Sequence, residues 1–175
     1  MNDRSAIERK TAKILDDLQI NELPIPVDKI ATSYGLEVKP YDLGEDVSGV
    51  LVISNGVGII GYNPNESTLR QRFTIAHEFG HFVLHGNIGG LFIDKGFRVE
   101  FRSQKSTTKE IRKEQEANAF AAALLMPEKI LFREIKNHNY DLTEEGSIQE
   151  LANLFNVSSQ AMTFRLSNTK SFNWF

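Results

Sequence analysis

Apolar residues follow two different rhythms along this chain. Ile7, Ile14, Leu15 and Leu18 recur at helical spacing, which predicts an amphipathic helix over about 5 to 20 with Ser5 and Glu8 as a capping box. Pro24 and Pro26 end it. Pro26 is placed to open a second helix carrying Val27, Ile30, Ala31 and Tyr34, and Gly35 stops it. The rhythm then changes. Leu36 to Tyr41 alternates apolar and polar positions, and 49–54 and 57–62 are continuous apolar runs. Asn55-Gly56 joins the two runs; both residues accept positive φ, so a tight hairpin is expected. These segments predict a small twisted antiparallel sheet, closed off by Asn63-Pro64-Asn65.

Helical spacing returns from Ser67 to His85 (Leu69, Phe73, Ile75, Ala76, Phe79, Val83, Leu84), with Gly86 as its stop. The stretch 86–108 is irregular and glycine-rich, with a strand predicted over Phe97 to Phe101. Thr107 and Glu110 form a capping box for a helix to about Leu125. Met126-Pro127 interrupts it and starts another, to about Asn137. Ser147 and Glu150 are expected to cap a short helix ending at Phe155. After the turn Asn156-Val157-Ser158, Ser158 or Ser159 opens a last helix to about Leu166. The class is α+β. We divide the chain into a main domain over 1–140 and a helix-turn-helix-like extension over 141–175 packed on the same domain.

Composition narrows the function classes. At 175 residues the chain can bury a sizeable core without staples, and zero cysteines exclude a disulfide scaffold, a thiolate zinc finger and a cysteine nucleophile. A net charge of -3 argues against a protein built to coat nucleic acid. No apolar run approaches the ~20 residues of a membrane span, and Met1 to Lys10 lacks the apolar stretch of a signal peptide. The expectation is a soluble, cytoplasmic protein.

The informative chemistry is His77-Glu78-Phe79-Gly80-His81. Helix positions four apart lie about 40° apart around the axis, so both imidazoles face one way and can bind one divalent metal, most often zinc. Glu78 is placed to act as general base on a water at the open position of such a site. The bland alternative is a pair of structural histidines on a buried face; three of the four histidines (77, 81, 85) falling on this helix weigh against it. A catalytic zinc takes a third protein ligand. His138 sits in a polar segment, so a carboxylate is preferred, and Glu114-Gln115-Glu116-Ala117-Asn118 offers two. Glu114 shares a face with Ala117, Asn118 and Ala121, whereas Glu116 points away; spacing alone favours Glu114 and keeps Glu116 open. Asn118 is placed to hold a ligand histidine in its tautomer.

Arg70-Gln71-Arg72-Phe73-Thr74-Ile75-Ala76-His77-Glu78-Phe79-Gly80-His81, followed by Leu84-His85, resembles the core of the ImmA/IrrE family of metallo-endopeptidases. Glu114 to Pro127 is similar to that family's second signature, and Ser48-Gly49, Tyr62-Asn63-Pro64 and the C-terminal Val157-Ser158 and Arg165-Leu166 fall in matching order. The resemblance covers about 6 to 167. It implies a zincin-like fold, Zn2+, and peptide-bond hydrolysis, with His77, His81 and Glu114 as ligands and Glu78 as general base. It also implies a helix-turn-helix repressor as substrate, in mobile elements or stress responses.

Other residues carry secondary expectations. His85 is read as a structural hydrogen-bonding residue, with substrate or oxyanion binding as the alternative. Tyr62, Arg70 and Arg72 flank the motif and could donate to a tetrahedral intermediate, although a strand-end tyrosine and surface ion pairs are the plainer reading. The run 57–62 is a candidate sheet edge for an incoming substrate strand, with an ordinary hairpin strand as the alternative. Lys95, Arg98, Arg102, Lys105 and Lys109 suggest a flap toward an acidic partner, with a solvated loop as the plainer reading. From Ser147 onward the basic residues are Arg165 and Lys170, too few to neutralise several phosphates, so direct DNA binding is not expected. Phe172, Trp174 and Phe175 make the C-terminus apolar, for docking or contact. The competing function is a non-catalytic module that binds a transcription regulator; an intact Glu78 speaks against it.

Overall fold

The computed structural model describes residues 4–54, 57–86, 91–94 and 108–169. Helices α1 (Arg4–Asp17) and α2 (Val27–Ser33) precede strands β1 (Leu36–Pro40), β2 (Gly49–Ser54) and β3 (Val57–Tyr62). Helix α3 (Thr68–His85), strand β4 (Leu91–Asp94), and helices α4 (Thr108–Leu125), α5 (Glu128–His138), α6 (Glu145–Phe155) and α7 (Ser159–Asn168) follow. The class is α+β, as expected. The chain falls into two compact units, one over 27–121 and one formed by 3–26 with 122–175.

The first unit holds the sheet, in the order β1-β3-β2-β4. β2 and β3 pair antiparallel from Gly49↔Tyr62 to Ser54↔Val57, a register that a two-residue connection fits; Asn55 and Gly56 themselves lie outside the described residues. The sheet is mixed rather than antiparallel, because β1 runs parallel to β3 (Leu36↔Gly58 to Pro40↔Tyr62). Gly58 suits that register: a Cβ there would lie 2.2 Å from Cδ2 of Leu36, so the Leu36 side chain would have to shift for any other residue at 58. A second expectation also changes. β3 lies between β1 and β2 with both edges paired, so it is no edge for an added strand; among the described residues β1 and β4 are the edges. Pro40, which has no N–H to donate, ends the β1 edge. β4 had no counterpart in the sequence pattern, and the strand expected over Phe97 to Phe101 lies outside the described residues.

Leu51, Ile60, Ala76, Phe79, Ala117 and Phe120 are fully buried in this unit. Phe79 meets Phe120 edge-to-face at 5.7 Å, joining α3 to α4. Ser67 caps α3 by accepting the Arg70 N–H, and Gly35, at φ +81°, turns the chain after α2 as its position suggested.

The second unit is helical, built on Ile7, Ile14, Leu15, Leu131, Leu151 and Phe155. Two expected capping boxes are not used. Ser5 lies inside α1, where its hydroxyl accepts from Arg9, and Glu8 turns to the Arg165 guanidinium instead of back to the helix start. α6 begins at Glu145, so Ser147 and Glu150 lie within the helix. α1 stops at Asp17, short of 20, and Gln19 carries φ 56° just beyond it. α5 and α7 match their expected limits closely. Ser158 caps α7 by accepting the Ala161 N–H, after a turn in which Asn156 is left-handed. No helix among the described residues is long and apolar enough to cross a membrane.

Candidate metal centre

The HExxH stretch lies in the most buried part of α3, where 74–81 are buried without interruption. His77 and His81 are each 2% exposed and Glu78 is fully buried. Their Nε2 atoms face each other at 3.0 Å, as the four-residue spacing requires.

α4 supplies the remaining donors. Glu114 Oε2 lies 3.3 Å from His77 Nε2, and its Oε1 lies 3.2 Å from His81 Nε2. One turn on, Asn118 Oδ1 lies 3.0 Å from His77 Nδ1. If Nδ1–H donates to that amide oxygen, the Nε2 lone pair of His77 is left facing the cluster. Gly80 permits this close crossing of α3 and α4. A Cβ on it would come 3.0 Å from Phe120 Cδ1 and 3.3 Å from the Ala117 Cα, so a larger residue would wedge the helices apart.

His77, His81 and Glu114 therefore place one donor atom each within 4.8 Å of one another, and no other such group occurs among the described residues. The two Nε2 atoms stand 3.0 Å apart and each lies 3.2–3.3 Å from a different Glu114 oxygen, slightly closer than ligands stand around a bound ion. Ligands about 2.0–2.2 Å from a tetrahedral ion stand roughly 3.3–3.6 Å apart. Two nitrogens and one carboxylate oxygen are the donor types that zinc accepts. Burial would raise the Glu114 pKa, but hydrogen bonds from His77 and His81, and the charges those rings carry when protonated, outweigh it and hold the carboxyl at about 2. The carboxylate is thus charged and available as a ligand at neutral pH, and its half-exposed side chain leaves a solvent-facing side.

Glu116 is not part of this group. It faces Arg112 at 2.9 Å and His85 at 3.5 Å. Burial, and then the nearby His81, push the His85 pKa down, so the ring favours its neutral form. The other flanking residues have partners of their own. Arg70 donates to Ser48 Oγ, and Tyr62 and Arg72 line a cavity of about 340 Å³ with Asp28, Thr32, Gln71 and Ile75. His138 accompanies Glu134 on α5. Most of the flap expected over 86–109, and the aromatic Phe172, Trp174 and Phe175, lie outside the described residues.

Sequence comparison agrees with this arrangement. The model of the peptidase M78 family, described as the IrrE N-terminal-like domain, matches residues 31–167, a span that includes both α3 and α4. The chain belongs to this ImmA/IrrE family. Metallopeptidase ImmA of Bacillus subtilis (strain 168) is 30% identical over 131 residues, covering 75% of this chain and 69% of that protein. An uncharacterized immunity region protein 2 of Bacillus phage phi105 is 28% identical over 134 residues, covering 74% of this chain and 78% of that protein. Among solved structures, a Mycobacterium tuberculosis transcriptional regulator superposes with a TM-score of 0.58 at 16% identity, covering 99% of this chain. This chain spans about half (49%) of that longer protein, and the likeness concerns the fold. Membership of the ImmA/IrrE family places the chain among metallopeptidases.

Two features of the site went unread in the sequence. The reading of the motif gives Gly80 no role, and the contacts of Ser48, Gly49, Asn63 and Arg70 do not follow from their place in the family-like segments. A glycine inside a helix that packs on an alanine-rich helix is the signal that could have identified the first.

Proposed function

We propose that this chain is a zinc-dependent endopeptidase in which His77, His81 and Glu114 hold the metal, Glu78 is the general base, and the substrate is a helix-turn-helix repressor. The observation that carries this reading is the convergence of the three donor atoms within 4.8 Å, with Glu78 next to the first of them on the same helix. Membership of the ImmA/IrrE family supports hydrolysis. The relative from a phage immunity region supports a regulatory substrate.

When bound, a divalent metal supplies Lewis-acid activation of a water and of the scissile carbonyl. The protein's own residues do the rest. Asn118 orients the His77 ring, and Glu114 adds negative charge that favours a dication. Glu78 takes the proton of the attacking water and delivers it to the departing amine nitrogen, so one carboxylate serves both halves of the hydrolysis. The helices around Asn156-Val157-Ser158 belong, in this reading, to a helix-turn-helix-like extension over 141–175 that contacts protein rather than DNA. Arg165, the basic residue of α7, is 6% exposed and occupied by Glu8.

The test is metal content by mass spectrometry on protein purified without added metal, together with co-expression beside candidate repressors. About one equivalent of zinc in the wild type, lost in His77→Ala and Glu114→Ala, and repressor cleavage abolished in Glu78→Gln with zinc retained, are expected. Cleavage unchanged in Glu78→Gln would remove Glu78 from its role. Metal binding without cleavage of any cognate repressor would favour the non-catalytic binding module.

A further inference from the structure

We propose that Gly49 is a positioning residue for Glu78: the missing side chain at 49, on a backbone pinned by a partly buried polar clamp, sets where the Glu78 carboxylate lies. The inference rests on the reading of Glu78 as general base.

Gly49 opens β2 and pairs with Tyr62. Its Cα faces α3 at the turn that carries the base. A Cβ there would fall 2.2 Å from Thr74 Cγ2 and 3.3 Å from Glu78 Oε1 and the Gly61 carbonyl oxygen. Thr74 and Glu78 are four residues apart, on one face of α3, and both are fully buried. The backbone of 49 is therefore the wall against which Thr74 and the Glu78 carboxylate pack. A methyl group at this position would occupy the space that both now share.

That wall is held by its neighbours. Ser48, 1% exposed, donates through Oγ to Glu66 Oε1 at 2.7 Å. The same oxygen accepts from Arg70 Nη2 at 3.0 Å and Nε at 3.3 Å. The Ser48 carbonyl accepts the Asn63 N–H at 2.8 Å. The Asn63 amide in turn donates to the carbonyls of Gly44 (2.7 Å) and Val47 (3.2 Å). Arg70 lies on α3 itself, so the clamp ties the start of β2 both to the turn after β3 and to the helix that bears Glu78. Gly49 cannot retreat without breaking charge-assisted bonds in a partly buried setting. A base fixed in this way is oriented before substrate arrives, the preorganisation that a supporting shell provides.

The test uses full-length Thr74→Ser, Gly49→Ala/Thr74→Ser and Glu78→Gln proteins beside the wild type. Serine at 74 removes the methyl that Gly49→Ala alone would strike, which guards against simple misfolding. Each protein is loaded with Co2+, and its affinity for acetohydroxamic acid is followed by visible absorption. With the metal held by His77, His81 and Glu114, Glu78 would take the proton released when the O–H bond of the hydroxamic acid breaks, and the metal would supply the charge that holds the resulting anion. Affinity thus reports the reach of the base without a protein substrate.

Gly49→Ala/Thr74→Ser is expected to keep the metal stoichiometry and unfolding midpoint of Thr74→Ser, yet to bind acetohydroxamic acid at least about tenfold more weakly, approaching Glu78→Gln. With a cleavable repressor, kcat falls and KM stays. Any smaller loss of affinity overturns the proposal, as does a double variant that loses metal or fold, since position 49 is then architectural. If the wild type takes up no metal, or binds acetohydroxamic acid no better than Glu78→Gln, the peptidase reading falls and this one with it.

Discussion

Asn118 Oδ1 stands 3.0 Å from His77 Nδ1, one helical turn from Glu114 on the same face of α4. One short stretch of helix thus brings both a donor atom and the group that orients another donor. An Asn118→Leu variant keeps roughly the volume and removes the acceptor. It is expected to weaken metal binding by about 10–100-fold while leaving the ligand set intact. Competition against a chelator of known affinity measures this. An unchanged metal affinity would show that the amide does not orient the ring.

Glu114 and Glu116 sit two residues apart and differ completely in surroundings. Glu114 meets both imidazoles, whereas Glu116 is engaged by Arg112 and lies near His85. Glu114→Ala is expected to abolish stoichiometric metal binding, and Glu116→Ala to retain it. Metal content of the two purified variants decides. Retention in Glu114→Ala would move the third ligand elsewhere.

The contrast between these glutamates shows what the residue order made legible. The histidine pair and its base are local, so spacing on one helix is enough to read them. Glu114 was favoured over Glu116 because the alanines mark which face of α4 approaches α3. Helices with strong apolar rhythm, such as α3 and α5, also appeared close to their limits. What was not legible depends on partners distant in sequence. β1 joins β3 in parallel, with Leu36 in the space over Gly58. Ser5 and Glu8 have the spacing of a capping box, but Glu8 is recruited by Arg165 at the far end of the chain. The clamp of Ser48, Asn63, Glu66 and Arg70 has no periodicity and is assembled only by the fold.

The Arg165–Glu8 pair carries its own stability prediction. The guanidinium binds both carboxylate oxygens of Glu8, and its Nε donates to the Met126 carbonyl at 2.9 Å. The Arg165 side chain is 7% exposed and that of Glu8 28%. Arg165→Ala strands a partly buried carboxylate and a carbonyl. With Glu8 still partly hydrated, the expected loss is about 2–3 kcal/mol, at or below the low end for a broken buried pair. Removing both charges in Glu8→Leu/Arg165→Met is expected to recover more than half of it. Urea unfolding of the wild type, Arg165→Ala and the double variant compares the three; a double variant as unstable as Arg165→Ala would show that the loss lies in packing and not in charge.

Gly80 links stability to metal binding. Its Cα lies against Ala117 and Phe120, and valine there would drive two further methyls into that contact. Valine is a better helix former than glycine, which offsets part of the strain. Overpacking of a close helix crossing still dominates, with an expected cost of about 1–3 kcal/mol. The displacement also has a direction. Moving α4 outward carries Glu114 away from His77 and His81, so Gly80→Val is expected to lose metal affinity as well as stability. A urea midpoint and a chelator competition on the same sample separate the two effects. Lower stability with wild-type metal affinity would mean that the approach of α4 at Gly80 does not set the position of Glu114.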